Sequence, residues 1–299
     1  MSVSLTHSLH LQTLNAFYNY IAFLDPEAFL TQLAALELFP DEHLLLPQPN
    51  ILTSFEAVAA GKVDKAVVPL ENSIEGTVSM TLDYLYQTPD IKIEAKAVIP
   101  IAHHLMIHPA HDHDTAIEKI YSHRQALAQS FHFLNGKYPE VPQQDFASTA
   151  AAAQRVAEHP ERKIAAVANT FAAKLYGLKI IDTNIHDFDQ NHTRFIVISK
   201  SKVSHTAETD DTNHKTGMLI TLPADHPGGL HQVLSVFAWR NMNLSKIESR
   251  TLKTRLGNYF FFINVVGGWT HPLYLNSLDE LHALGAEVKF LGNYPEYHF

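Results

Sequence analysis

NHTRFIVIS, residues 191–199, joins a polar lead of Asn191, His192, Thr193 and Arg194 to an unbroken β-forming run from Phe195 to Ile198. Short runs of β-branched and aromatic residues read as strands. The same kind of run recurs upstream, interleaved with helical patterns: IAFL (21–24) before FLTQLAALEL, KAVVPL (65–70) before TVSMTLDYLYQ, then AVIPIAHHLMI (97–107). KIYSH (119–123) precedes ALAQSFHFL, and KIAAVAN (163–169) precedes TFAAKLYGL. Strands alternating with helices predict an α/β architecture with largely parallel sheets, whose ligands sit beyond the carboxyl ends of strands. After NHTRFIVIS, the stretch SKSKVSHTAETDDTNHKTG (199–217) has linker composition. Beyond it GMLITL, LSKIESRTL, YFFFINVVG and EVKFLGNY read as strands, and GGLHQVLSVFAWRN and LNSLDELHAL as helices. That order is the ferredoxin-like βαββαβ split.

With 299 residues, two domains are expected rather than one. A net charge of −9 argues against nucleic-acid or anionic-membrane partners, which call for a positive field. The absence of cysteine excludes disulfides, thiolate metal sites and cysteine nucleophiles, and fits a cytoplasmic protein. No apolar run approaches the roughly 20 residues of a membrane span. Residues 1–19 lack the basic start and apolar core of a signal peptide and read as an N-terminal extension outside the fold.

Three strand-to-helix turns offer hydroxyls beside helix N–H groups. ENSIEGTVSMTLDYL puts Glu71, Asn72, Ser73, Gly76 and Thr77 ahead of a helix whose Val78, Leu82 and Leu85 recur at i, i+4 and i+7. In YSHRQALAQS, Ser122 stands three residues before Gln125, a capping-box spacing. FASTAAAAQRV starts its helix at Ser148 and Thr149. Each turn taken singly is either a plain cap or an anion site. Arg194, followed by an apolar run, is either a solvated strand-end residue or a planar fork for a carboxylate.

VPLENSIEGTVSMTLDYL, YSHRQALAQS, ASTAAAA, AKLYGLKIIDTNI and NHTRFIVIS, in that order, resemble the prephenate dehydratase family. HPGGLHQVLSVFAWRNMNLSKIESR resembles the ACT regulatory domain that commonly follows it. The resemblance implies a two-lobed, periplasmic-binding-protein-like catalytic domain over residues 20–200, with lobes of about 20–97 plus 188–200 and about 98–187. A linker at 201–215 and a ferredoxin-like ACT domain at 216–299 would follow. The implied reaction is a lyase step of phenylalanine biosynthesis: prephenate to phenylpyruvate, CO2 and water, with no cofactor. Arogenate is the close variant substrate, and a non-catalytic ligand-sensing shell is the alternative of a different class.

In that reading Thr193 would hydrogen-bond the departing hydroxyl, Arg194 would hold a carboxylate, and Asn72 and Ser73 would orient the substrate. Glu71 would be a proton source and Phe195 would support Arg194 and the cleft wall. Helix starts near Gly76 and Thr77, Ser122 and Thr149 would supply partial positive charge. In the ACT domain, Gly228, Gly229 and Leu230 with Asn243, Leu244 and Ser245 would enclose phenylalanine, a feedback inhibitor, at a subunit interface. Glu248 and Ser249 lie on the same strand. Pairing in a homodimer or homotetramer would cover edges left by LSKIESRTL and YFFFINVVG.

The chain departs from the family in places. Asp25 and Ala28 of DPEAFL stand where glycines are usual, and Asp25 would bring negative charge toward an anion pocket if the turn faces it. Arg124 replaces the proline of SHPQAL, and Thr251 that of ESRP. Among twenty histidines, His103, His104, His108, His111 and His113 cluster in HHLMIHPAHDHD. A metal needs geometry rather than abundance, and these are read as strand-packed or solvated, His103 with Leu105 on one face and His104 with Met106 on the other.

Overall fold

The computed structural model describes residues 19–24, 29–40, 43–113, 115–188, 190–200, 213–223, 227–252, 259–267 and 272–299. Asp25 and Ala28, most of the N-terminal extension and residues 201–212 of the expected linker lie outside them; Asn19 already belongs to a strand, and so does His214.

The first lobe contains β1 (Asn19–Leu24), α1 (Phe29–Leu38), β2 (His43–Gln48), α2 (Ile51–Ala59), β3 (Lys65–Asn72), the short β4 (Gly76–Thr77), α3 (Ser79–Gln87) and β5 (Lys92–Pro100). β1 pairs in parallel with β2 and with β3, as connections through helices require. The chain then crosses to a second lobe: β6 (His104–Ile107), β7 (Lys119–Ser122), α4 (Arg124–Ala128), α5 (Phe131–Lys137), β8 (Gln143–Asp145), α6 (Thr149–Ala157), β9 (Ile164–Ala168), α7 (Thr170–Tyr176) and β10 (Lys179–Asp182). Its sheet order is β10-β6-β9-β7-β8. Ala152, Ala153, Ala166, Ala168 and Ala172 fill much of the core under α6 and α7, where small side chains let helices sit close to the sheet.

A second crossing returns the chain to the first lobe as β11 (His192–Ser199), which inserts antiparallel between β3 and β5. The sheets are therefore mixed, not largely parallel. Three further expectations shift. AVIPIAHHLMI is not one strand: it breaks after Pro100, where the chain leaves one sheet for the other, so His103 lies in the crossing. ALAQSFHFL is two helices, because the Gln129 carbonyl accepts from Asp187 N of the returning segment at 2.6 Å instead of extending a helix. β3 runs on through Glu71 and Asn72, which were expected in a turn.

On β11, Thr193 pairs with Asn72 and Arg194 with Glu71; Phe195 then pairs with Pro69, leaving Leu70 extra. Pro69 has no N–H for the ladder, and the register slips there as a bulge. Strand alternation sends Phe195 and Val197 into the core with Ile21, Val67 and Ala97. Ile196 and Ile198 face the other way, toward Phe55, Leu82 and Leu85.

The C-terminal module is β12 (His214–Thr221), α8 (Gly229–Ala238), β13 (Leu244–Thr251), β14 (Tyr259–Val266), α9 (Pro272–Ala283) and β15 (Glu287–His298), with strand order β13-β14-β12-β15. This is the expected βαββαβ arrangement. β13 is an edge, but β14 is interior and mostly buried, so the edge expected from YFFFINVVG does not exist. One sheet face packs on its two helices through Met218, Val233, Phe237 and Leu281. The other, through Leu219, Phe260, Phe262 and Tyr294, merges with the first-lobe core.

β15 outruns the module and pairs in parallel with β5 at Glu296 to His298, so the two sheets are one. Gly292 permits this approach: at φ 144° it is left-handed, and a Cβ would stand 2.3 Å from the Ile93 carbonyl oxygen. Lys289 donates to the Leu85 and Thr88 carbonyls at 2.7 and 2.6 Å, placing a cation at the C-terminus of α3.

Candidate active site

Between the lobes lies a cavity of about 330 Å³, reached from the first lobe by Asn72, Glu75, Val78 and Thr193 of β11, from the crossings by His103 and Asn191, and from the second lobe by Gln129 and Thr149. Three helices begin at its wall. Their N-cap residues His123, Ser148 and Asn169 all line it, each accepting from an N–H of its own first turn. The remaining N–H groups and aligned helix dipoles favour an anion. The lining holds no lysine or arginine among the described residues, and Glu75 is its carboxylate.

The polar side chains form one hydrogen-bonded chain whose direction is fixed by the backbone. Asn72 Oδ1 accepts from Ile74 N and Glu75 N at 2.9 and 3.0 Å, so the other arm of its amide must be the donor. Asn72 Nδ2 donates to Thr193 Oγ1 at 2.9 Å and to Asn191 Oδ1 at 3.2 Å. Asn191 therefore presents its Nδ2 to Gln129 Oε1 at 3.0 Å. Gln129 Oε1 also meets His103 Nε2 at 3.0 Å, which must then carry a proton. Burial pushes the His103 pKa below its ordinary value; the Gln129 bond opposes the shift, and the neighbouring His186 and His104 add to it. His103 is thus the neutral Nε2–H tautomer. Two groups remain uncommitted: Thr193 receives a bond but finds no acceptor for its own proton among the described residues, and Gln129 Nε2 is buried without a partner.

On the opposite face of the same strands, Arg194 Nη1 bonds Glu71 Oε1 at 2.7 Å, and Lys246 Nζ of β13 bonds Glu71 Oε2 at 2.6 Å. Burial would raise the Glu71 pKa, but the Lys246 bond and the charges of Lys246, Arg194 and Lys96 outweigh it and hold the carboxyl below its ordinary value. Glu71 is a doubly anchored anion, poorly suited to give up a proton.

A family model for prephenate dehydratase matches residues 21–203. The Bacillus subtilis prephenate dehydratase is 41% identical over 281 residues, covering 93% of this chain and 99% of that protein. The chain belongs to the prephenate dehydratase family. It is accordingly a lyase of the decarboxylating dehydratase kind. The solved prephenate dehydratase of Arthrobacter aurescens in complex with L-Phe superposes with a TM-score of 0.80 at 34% identity, covering 92% of this chain and 90% of that one. GqqA, described as a novel type of quorum quenching acylase, also reaches 0.80 at 26% identity, over 93% of this chain and 98% of that one.

The motifs that mark the dehydratase family divide between the two faces. Asn72, Thr193 and Thr149 line the cavity; Glu71, Arg194 and Thr77 do not. Adjacent residues on a strand point oppositely, so ENS and TRF do not each present the one face that the resemblance implies. Ser73 clamps the turn to the returning crossing, donating to Gln190 O at 3.0 Å and accepting from His192 N at 2.9 Å. Phe195 lies in the core, and Gly76, at φ 84°, makes the turn. Ser122 is not a cap: its hydroxyl is spent on the Val167 carbonyl, and His123 caps α4. Arg124 N donates to Asp145 Oδ1 at 2.7 Å, a bond the usual proline could not make.

Missed in the sequence were Gln129 and His103, whose broken helix and crossing had been read as continuous elements. The remaining clustered histidines are occupied separately: His104 with Thr170, His108 accepting from Ala110 N, His111 with the Arg162 carbonyl and His113 with that of Ile181. Among the described residues no group of His, Cys, Asp and Glu has the grouping to hold a metal, and no helix is long and apolar enough to cross a membrane.

In the C-terminal module, Gly228, Gly229 and Leu230 line a pocket of about 410 Å³ with Leu234 and Phe261. Asn243, Leu244, Ser245, Glu248 and Ser249 do not reach it. Along β13, Ser245 and Ser249 are exposed while Lys246, Glu248 and Arg250 turn toward the first lobe, so the expected phenylalanine-binding set is not assembled within one chain.

Proposed function

We propose that the protein converts prephenate to phenylpyruvate, CO2 and water in the interlobe cavity. The C–C bond to the ring carboxylate breaks, its electron pair completes the aromatic ring, and the C4–O bond breaks as hydroxide leaves and takes up a proton supplied by solvent through Thr193 to become water. Thr193 directs its free O–H at that leaving oxygen. Its pKa is far too high for it to be a lasting proton source, so it acts as hydrogen-bond donor and relay. The observation that carries this reading is the Asn72-to-Thr193 bond at 2.9 Å, which occupies the hydroxyl as acceptor and leaves its proton for the substrate. Gln129 Nε2 supplies a second donor, and the helix starts at His123, Ser148 and Thr149 receive the carboxylates. Fixed geometry with directed donors suffices for a reaction driven by aromatisation.

Arg194, Glu71 and Thr77 support the hairpin from behind, with Ser73, Gly76, Phe195 and Ser122 shaping the turns and core. The C-terminal module is proposed to be an ACT-type regulatory domain that takes phenylalanine at the Gly228–Leu230 turn. The Asn243–Ser245 corner and the Glu248–Ser249 strand would come from a second copy in a homodimer or homotetramer, which the exposed side of β13 favours. The proposed setting is cytoplasmic phenylalanine biosynthesis.

Purified protein is expected to turn prephenate over to phenylpyruvate, followed by absorbance, and to slow with added phenylalanine unless Gly229 is made bulky. Inert protein sinks the catalytic reading; equal inhibition of wild type and a Gly229→Val variant sinks the placement of phenylalanine. Glu75 in the lining favours arogenate as a second substrate, its ammonium meeting the carboxylate. In that case Glu75→Gln should slow arogenate far more than prephenate.

A further inference from the structure

We infer that Lys246, a residue of the C-terminal module, is a positioning residue for the cleft. The inference rests on the dehydratase reading but concerns how its site is held. β3 and β4 form a tight hairpin in which Glu71 pairs with Thr77 and Asn72 with Gly76. Lys246 Nζ grips both members of the first pair, bonding Glu71 Oε2 at 2.6 Å and Thr77 Oγ1 at 2.8 Å. Thr77 Oγ1 in turn donates to Glu248 Oε2 at 2.9 Å. The next pair opens the turn whose Asn72 side chain sets the direction of the hydrogen-bonded chain and whose Glu75 reaches the cavity.

Lys246 is well placed to do this. Its ammonium is largely buried, with a side-chain exposure of 13%, and its partner Glu71 also bonds Arg194, the neighbour of Thr193 on β11. One cation from the module thus fixes the carboxylate that ties β3 to β11 one residue away from the Asn72–Thr193 bond. Other bonds keep the module seated: Arg250 meets Asp83 of α3 at 3.1 Å, and Lys289 holds the far end of that helix. Loss of Lys246 would therefore free the hairpin without releasing the module.

The test uses the full chain. Lys246→Met is expected to lower kcat on prephenate about tenfold while KM moves less than about threefold, and Lys246→Arg, which keeps donors for both partners, to stay within about threefold of wild type. In a Glu71→Gln background Lys246→Met should cost less than about a further twofold, because the two act as one unit. Hydrogen exchange of the Ile74 and Glu75 amides, both bonded to Asn72, should quicken about tenfold in Lys246→Met. Unchanged kcat with unchanged exchange overturns the inference, as does the same loss in both backgrounds. If Lys246→Met does not fold, Thr77→Val decides: about threefold lower kcat supports the inference and none overturns it. Wild-type turnover alone decides the dehydratase reading, whereas amide exchange reads the positioning of the hairpin even in an inert protein.

Discussion

Two residue pairs on the same two strands, one step apart, serve opposite sides of the first lobe. Asn72 and Thr193 meet in the cleft at 2.9 Å, neutral, buried and directional; Glu71 and Arg194 meet behind it at 2.7 Å as charges shared with the C-terminal module. The cleft pair leaves one proton unspent. The rear pair commits both Glu71 oxygens to anchorage. A strand that alternates faces can thus carry a cleft hydroxyl and an anchoring charge in adjacent letters, and a cleft lined by no lysine or arginine among the described residues still offers helix starts to an anion.

The largest effect should separate the faces. Thr193→Val keeps the shape and removes the hydroxyl; kcat is expected to fall about 10³-fold with little change in KM, as for loss of a donor at a developing charge. Arg194→Met should cost only about tenfold in kcat/KM, together with a lower Tm, because it frees one oxygen of Glu71. Steady-state kinetics on both variants check the contrast. An Arg194→Met loss as deep as that of Thr193→Val would break it and return the guanidinium to the substrate.

Much of this architecture was readable from spacing. The strands at 65–70 and 195–198, the helix on Ser148 and the βαββαβ order after the linker all follow from local pattern, because each element is long and its apolar residues recur at one period. The residue pattern singled out the turn carrying Asn72 and the polar lead carrying Thr193, and only the resemblance implied roles for them. What was not readable depends on tertiary partners. The break that exposes Gln129 is caused by Asp187, 58 residues downstream, and His103 is useful only because both lie on a crossing and its flank. Facing is lost for a similar reason: the bulge at Pro69 and the arrival of Lys246 from β13 cannot be seen in ENS or TRF.

A smaller effect sharpens the description of the cleft side. His103→Phe keeps the ring but removes the Nε2–H that holds Gln129 Oε1, so the Gln129 amide is free to rotate and kcat should drop about fivefold to tenfold. His103→Gln restores a donor at nearly the same place and should recover to within about threefold. Kinetics of the two variants, with Tm as a control for packing, provide the check. Equal losses in both would mean that His103 matters only as bulk.

The smallest effect belongs to the rear pair and appears in acid. The Glu71 pKa in the folded protein lies below the ordinary carboxylate value of 4.5, so between those two values the unfolded chain binds the more protons and stability rises with pH. The contribution is fully present above about pH 4.5 and is lost as pH falls through the depressed folded value. Glu71→Gln, which cannot titrate, should therefore melt below wild type by a constant margin at neutral pH, roughly 2–4 °C for about 1 kcal/mol in a chain this long. That gap should close on acidification below about pH 4.5, while the cleft pair, which carries no charge, leaves Asn72→Ala with a gap that does not respond to pH in that range. Thermal melts of both variants from pH 7 to pH 3 read the difference directly. A Glu71→Gln gap that persists unchanged to the acid end would mean that Glu71 is not held as an anion by Lys246 and Arg194, and the distinction between the two faces would lose its electrostatic half.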